Sequence, residues 1–534
     1  MMKPRIRTLL ILAILVGILG WWLGRRWNTP RIAERAPEAP APSPRHRPLS
    51  PKRPVIPLSQ EPAADQFPDG TTVEVFAASH PDQIVLRFPS DETYTSFIMA
   101  VRSSKVRLIG RLDRLRAMRL VFDDFRDLDA LLDEENVTHY TSLPHFPAPP
   151  GSTVAQKGLL GFGDQAPAWL GAASDRSRWG SAVRIAVIDG GLSNHPGLPK
   201  IAEFVDVTSE FSQPTEPTSH GTSVASIISG INPQAPGIAP AATLISIRVV
   251  DSSLKADSFS VAAGLLAAID HQAHLVNLSL GTDEDNPLIR EAVEAVQQSG
   301  LLVIAASGNS ARAQAAYPAA YPGVISVGAV DGRGTQVEFS NYADALSLTA
   351  PGYAVNAAGP GGTYIRISGT SASAPFVTGA IAATMSTSPT AITPRQAAEI
   401  VMEHTNEAGI PGPDSQYGSG ILNIGRIMNR KVPGIVDVAV THQQYSAATS
   451  ELSVTLQNRG TKPLVNVLLQ ATAAGGTSQL NINSIQPGAV QTVSLPIVPG
   501  RQSPFSVTTI LQTGVNGPDL RPADNQMTAS HALR

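Results

Sequence analysis

The chain has 534 residues, 42% of them hydrophobic and 16% charged, with a net charge of −3 and no cysteine. Such a length and apolar fraction allow several folded units with substantial cores. The slightly acidic balance argues against nucleic-acid binding, and without cysteine no disulfide framework reports on the compartment.

At the N-terminus, Lys3, Arg5 and Arg7 precede an uncharged stretch, Thr8 through Gly24, that includes the run from Leu9 to Val16. As a helix these residues would span about 25 Å, close to a thin bilayer core. Two readings are open, an uncleaved anchor and a cleaved signal peptide. Trp21, Trp22, Arg25, Arg26 and Trp27 follow the apolar run with no small-x-small cleavage site, and interfacial tryptophans suit an anchor. Basic residues on both sides (Arg31 and Arg35 also follow) leave the orientation undetermined by charge. Residues 1–29 are therefore expected to form a membrane anchor or signal segment, and 30–70 a linker. Between Pro30 and Pro68 there are 11 prolines in 39 residues, and polyproline II geometry at about 3.1 Å per residue would make this stretch a solvated spacer.

Residues 71–150 read as a compact α+β unit. Ile84 to Phe88 is a strand, and Tyr94, Phe97, Ile98 and Val101 follow helical i, i+3, i+4, i+7 spacing. Alternating segments run from Val106 to Phe122, then Phe125, Leu128, Leu131 and Leu132 mark a second helix and Val137 to Tyr140 a last strand. The order is strand, helix, two strands, helix, strand. An unrelated adaptor domain has the same pattern.

From 155 to 431 three short segments carry chemistry. The first is Val183 to Ile188, a buried strand that delivers Asp189 to the edge where Gly190-Gly191 ends it. The second is His220-Gly221-Thr222, opening an apolar, small-residue helix that Gly230 would end. The third is Gly369-Thr370-Ser371-Ala372-Ser373-Ala374-Pro375, where glycine and alanine permit close backbone approach and a helix follows. A serine hydroxyl is a poor nucleophile until an imidazole takes its proton, and that imidazole needs a buried carboxylate on its other nitrogen. Ser371, His220 and Asp189 fit these parts. A serine at a helix N-terminus also has unsatisfied backbone N–H groups that favour an oxyanion, although Ser368 or Ser373 would equally serve as a plain helix cap. His195, six residues after Asp189 in a turn-rich stretch, reads as structural.

The final stretch, 434–534, alternates apolar and polar residues, as in Val436 to Val440 and Leu452 to Leu456, broken by Gly460, Gly475-Gly476 and Pro487-Gly488. It reads as a β-sandwich.

Taken together, the three segments resemble the subtilisin-like serine proteases (subtilases), whose triad also runs in the order Asp, His, Ser. The spacing, 31 positions from Asp189 to His220 and 151 from there to Ser371, leaves room for several βα units. Val276-Asn277-Leu278-Ser279-Leu280-Gly281 resembles the strand that flanks the substrate in that family. Val303 to Asn309 resembles the next strand, ending in the asparagine whose amide completes the oxyanion hole. Other family-like stretches are Gly237 to Pro240, Tyr321 to Ala329, Phe339 to Tyr342, Ala350 to Gly352 and Tyr417 to Gly420.

The resemblance implies a parallel-sheet α/β catalytic domain, with Asp189, His220, Ser371 and Asn309 catalytic and Ser279, Leu280, Gly281, Ala306, Ser307 and Gly308 binding substrate. It also likens the α+β unit to the ferredoxin-like propeptide that chaperones folding and then inhibits, its tail running from Thr141 to Phe146. The sandwich resembles the cell-adhesion-related bacterial domain, which would bind a surface partner or simply stabilise or space the protease. Two positions depart from the family pattern. Gly190 replaces the hydroxyl residue usual after the aspartate, and Thr282 stands after Gly281 where a second glycine is common.

The expected function is a serine endopeptidase on protein or peptide substrates that autoprocesses its own propeptide, membrane-anchored and extracytoplasmic, or secreted if the leader is cleaved. The competing reading is a catalytically silent surface scaffold. No cofactor is required for this chemistry and no metal cluster with defined spacing is seen. Calcium, which subtilases often bind, has its candidate in Asp283-Glu284-Asp285-Asn286, a segment that otherwise reads as a solvated acidic loop.

Overall fold

The computed structural model describes residues 73–77, 82–132, 137–140, 159–173, 175–208, 219–250, 255–499 and 504–532. The expected anchor and linker lie outside the described residues, as does the segment 141–158 that joins the first unit to the second. Among the described residues no helix is long and apolar enough to cross a membrane.

The first unit contains β1 (Val73–Ala77), β2 (Gln83–Arg87), α1 (Asp91–Arg102), β3 (Arg107–Leu112), β4 (Ala117–Val121), α2 (Phe125–Asp129) and β5 (Val137–Tyr140). Its sheet order is β3-β4-β2-β1-β5. The expected run from strand to strand is present as β2 to β5, but β1 precedes it and separates β2 from β5, antiparallel to the one and parallel to the other. Ser90 caps α1 by accepting from Thr93 N–H, acidic Asp91 and Glu92 fill the first turn, and Arg102 fills the last. The expected stripe Tyr94, Phe97, Ile98 and Val101 is buried. α2 is shorter than its apolar pattern suggested, and Leu131 and Leu132 are buried beyond its end.

Because side chains alternate along a strand, this sheet has two apolar faces. Ile84 and Leu86 pack with Phe97 and Ile98 beneath the unit's own helices. Val85, together with Leu112, Leu115 and Ala117, packs into the core of the next domain.

That domain is built on seven strands: β6 (Arg184–Asp189), β7 (Glu203–Asp206), β8 (Thr243–Arg248), β9 (Leu275–Leu278), β10 (Leu302–Ala306), β11 (Ile325–Val330) and β12 (Leu348–Pro351), in the order β12-β11-β10-β9-β6-β8-β7. Every pairing is parallel. A parallel sheet covered on both faces needs continuous apolar strands, and every residue of β9, β10 and β11 is buried. Helix α3 (Ser219–Ser229), and after it α6 (Thr370–Thr387), α7 (Pro394–Glu403) and α8 (Ile424–Asn429), contribute to the core on one face; α4 (Ser258–Asp270) and α5 (Pro287–Gln298) contribute to the other. The hairpin β13 (Val355–Ala358) and β14 (Tyr364–Ile367) precedes α6.

The first unit docks on α4 and α5. Around the apolar patch lie three ion pairs. Arg119 meets Asp257 at 2.8 Å with side chains 2% and 10% exposed, Arg87 meets Glu291, and the exposed Arg114 meets Asp270 at 2.8 Å.

The C-terminal domain has strands β15 (Val438–Ser446), β16 (Glu451–Asn458), β17 (Leu464–Ala473), β18 (Gly476–Ile485), β19 (Val490–Pro496), β20 (Phe505–Gln512) and β21 (Gln526–His531). They form an antiparallel sheet β15-β16-β19 and another, β18-β17-β20-β21. Val438, Leu452, Val454, Leu469 and Val507 fill the space between, which is the sandwich the alternation predicted.

Candidate active site

Asp189 closes β6, one of the sheet's inner strands, and its carboxylate emerges at the carboxyl edge of a parallel sheet, where crossover loops leave a crevice. The residue is 3% exposed. Its Oδ1 accepts the Gly190 backbone N–H at 2.7 Å, so a main-chain donor supports the carboxylate where the sequence lacks a hydroxyl. His220, at the start of α3, brings Nδ1 to 2.8 Å from Asp189 Oδ2 and 3.0 Å from Oδ1. The two meet because Gly221 lets α3 approach closely. A Cβ there would sit 2.5 Å from Gly191 O and 3.2 Å from Asp189 Oδ1. With Nδ1 engaged by a carboxylate, the imidazole is held in one orientation with Nε2 directed away. Nε2 is buried and has no hydrogen-bond partner among the described residues.

Ser371 is the second residue of α6 and 4% exposed. Gly369, at φ 140, caps that helix without a side-chain bond. A Cβ on Gly369 would lie 2.9 Å from Ser371 Oγ and 3.2 Å from Asn309 Nδ2, so the hydroxyl and the amide flank the same glycine. The plain-cap reading fails here, because Ser368 Oγ accepts from Ala354 N–H and Ser373 Oγ donates to the carbonyls of Ala350 and Pro351. Asn309 is fixed through its other side-chain atom. Its Oδ1 accepts Thr370 N–H at 2.8 Å and Thr370 Oγ1–H at 3.0 Å, while Thr370 Oγ1 accepts Gly308 N–H at 3.2 Å. That closed loop of bonds leaves the Nδ2 donor directed beside Ser371. Thr370 was missed in the sequence, although its place inside the Gly-Thr-Ser segment was the available signal.

The other expected residues surround these groups. Ser279, Leu280 and Gly281 continue β9 past its last ladder pairs, Leu278 with Ile188 and with Ala305. Ser279 is buried, and its hydroxyl accepts from Asn277 Nδ2 and donates to the Ser371 carbonyl at 3.0 Å, so it anchors the helix start. Ala306 ends β10. Ser307 has its N–H on Val327 O and its carbonyl on Ala316 N–H, which engages both of its main-chain groups within the domain. Gly308, at φ 108, lies against Asn341. Thr282, the second departure from the family pattern, exchanges backbone hydrogen bonds with Tyr317 and closes the rim behind Gly281. His195 is structural as expected, its Nδ1 accepting from Gly197 N–H and its Nε2 lying 2.9 Å from the Thr363 carbonyl.

The acidic segment that the resemblance offered for calcium does not fit an ion. Asp283 pairs with Arg312 at 2.7 Å, Asp285 pairs with Arg290, and Asn286 Oδ1 accepts from Leu288 and Ile289 N–H to cap α5. Arginines and a helix terminus take the oxygens a cation would need.

A family model described as the subtilase family matches residues 180–420. The chain is 34% identical over 256 residues to the thermostable alkaline protease of Halalkalibacterium halodurans, covering 48% of this chain and 70% of that one. It is 36% identical over 268 residues to subtilisin Savinase of Lederbergia lenta, covering 48% and 94%. With an alkaline protease of Shouchella clausii it shares 36% identity over 282 residues, covering 51% and 70%. With a seven-stranded parallel sheet that carries the Asp189–His220 pair at its edge, and with 36% identity to subtilisin Savinase over 94% of that protein's length, the chain belongs to the subtilase family and is a serine endopeptidase.

Proposed function

We propose that Ser371 is the nucleophile, His220 the general base, Asp189 its orienting carboxylate and Asn309 an oxyanion donor. The Ser371 Oγ–H proton passes to His220 Nε2 as Oγ bonds the scissile carbonyl carbon, giving a tetrahedral oxyanion. The Asn309 amide and the Ser371 backbone N–H bind that oxyanion. His220 then gives the proton to the leaving amine, the C–N bond breaks, and water repeats the sequence on the acyl-enzyme. Asp189 stabilises the imidazolium and remains a carboxylate. The observation that carries this reading is the 2.8 Å bond from His220 Nδ1 to Asp189 beside a buried Nε2 that has no hydrogen-bond partner among the described residues. Catalytic hydrogen bonds often close only when substrate binds, so the open junction to Ser371 fits a resting site.

The first unit is the proposed propeptide. Its docking through Val85, Leu115 and Arg119 supports a role as a chaperone that stays bound, and in the sequence its tail at 141–146 is followed by the Pro-Gly-rich stretch 147–151, which is proposed to be self-cleaved. The N-terminal segment is proposed to tether the enzyme outside the cytoplasm. The sandwich's bonds to the protease domain, Glu407 N–H and Thr405 O with the Gln457 side chain, support the stabilising role over a free adhesion module. A fluorophosphonate probe tests the assignment: one adduct, mapped to Ser371 and absent in His220→Ala, is the expected result. Labelling elsewhere, or equal labelling of that variant, overturns it.

A further inference from the structure

We propose that Asp437, Asp519 and Asp524 hold a calcium ion in the C-terminal domain, at its seam with the protease domain. The three carboxylates come from separate segments: the lead into β15, the loop before the 3-10 turn Pro522–Asn525, and that turn itself. One oxygen from each lies within 4.8 Å of the others. Calcium binds oxygens at 2.3–2.6 Å, so ligands on opposite sides of the ion stand about 4.6–5.2 Å apart at most, and this group fits around one ion.

Acidic side chains gather on many surfaces without a cation, but here Asp437 is buried, Asp519 and Asp524 are half-buried, and several of the oxygens lack a donor. Asp437 is 3% exposed, and among the described residues its Oδ1 has no hydrogen-bond partner; the same holds for Asp524 Oδ1 and for Oδ1 of the 8% exposed Asn525. Other oxygens of the cluster do have donors. Asp519 accepts Arg521 N–H at 2.7 Å on Oδ1 and Val438 N–H at 2.9 Å on Oδ2, and Arg459 Nη1 holds Asp524 Oδ2 at 2.6 Å. A proton on one carboxyl would satisfy one pair of oxygens at best, whereas a cation serves every acceptor at once. Oxygen-only donors select a hard ion.

The site also has a structural consequence. Leu520 N–H bonds Val436 O, and the Asp437 carbonyl accepts Arg459 and Gly460 N–H. Arg459 O in turn accepts from Arg426 on α8, and the Arg521 guanidinium lies against Gly171 and Gly425 of the protease domain. An ion here would therefore fasten the loop before β21 to the lead into β15, and hold both against the protease.

The test uses the full chain carrying Ser371→Ala, which keeps its length, stripped with a chelator and titrated with calcium chloride alone. Equilibrium dialysis should count one more calcium per chain than in the same protein carrying Asp437→Asn. Asp524→Asn, which keeps an oxygen for Arg459, should lose that ion too and covers the case in which the first variant fails to fold. The Tm of the parent should rise with calcium by several degrees more than that of either variant. Counting differences removes any ion bound elsewhere. Equal calcium counts in the parent and both variants overturn the proposal, as does a Tm rise reproduced in full by magnesium or sodium chloride at matched ionic strength.

Discussion

Replacing Arg119 with alanine should loosen the docked first unit more than any other single change on that surface. Arg119 is 2% exposed, its Nη1 lies 2.8 Å from Asp257 Oδ2, and its Nε and Nη2 hold Gln83 Oε1 at 3.0 and 2.7 Å. Removing one partner of a buried ion pair costs about 3–5 kcal/mol because the other charge is stranded. Asp257 keeps the Ser260 N–H that it accepts as the cap of α4, at 2.8 Å, which places the cost near the lower bound. At about 1.4 kcal/mol per decade, a loss of about 3 kcal/mol weakens binding roughly 100-fold. The assay is inhibition of the processed enzyme by added 71–146 polypeptide. Lys105→Ala, which removes an exposed 3.3 Å pair with Asp127, should leave the inhibition constant within about threefold. Asp257→Asn retains a capping side chain, so a double-mutant cycle with Arg119→Ala isolates the charge pair. An Arg119→Ala polypeptide that inhibits as well as the parent would refute this account of the interface.

Asn309→Ala should lower kcat on the order of 10²–10³-fold with little change in KM or Tm, a magnitude known from subtilisin itself; an unchanged kcat would remove the amide from the oxyanion site. Gly221→Ala drives a Cβ to 2.5 Å from Gly191 O, so overpacking of about 1–3 kcal/mol and loss of the Asp189–His220 bond should appear together as a lower Tm and lower activity. Glu203 has its carboxyl held below the usual range by Arg184 and then by His271. A depressed folded value contributes stability above the unfolded carboxylate range that is lost as pH falls through the folded value. Glu203→Gln should therefore flatten the acid limb of a Tm-against-pH curve, and an identical limb in parent and variant would contradict the assignment.

The residues proposed to be catalytic could be picked out of the sequence because each sits in a local pattern. Asp189 ends an apolar strand, His220 opens a small-residue helix, and Ser371 stands two residues after Gly369, whose φ of 140 disfavours any larger residue. The sandwich strands were legible from period-2 alternation ending at Gly and Pro turns. What escaped is set by distant pairing. β1 was missed because Val73–Ala77 is a five-residue strand whose place depends on partners 7 to 64 residues away. The Asp283 and Asp285 carboxylates looked free for a cation because their arginines, Arg312 and Arg290, are not adjacent in sequence. The Thr370–Asn309 loop and the Arg119–Asp257 pair join residues 61 and 138 positions apart, and no periodicity marks such contacts.

The most direct test of the central claim is the intact mass of the chain from about residue 60 to its C-terminus, purified in parallel as parent and as Ser371→Ala. A self-processing serine protease predicts that the parent loses a fragment ending near residues 140–160 while the variant keeps its full mass. Parent and variant both at full length, with neither degrading an unfolded protein such as casein, would contradict it.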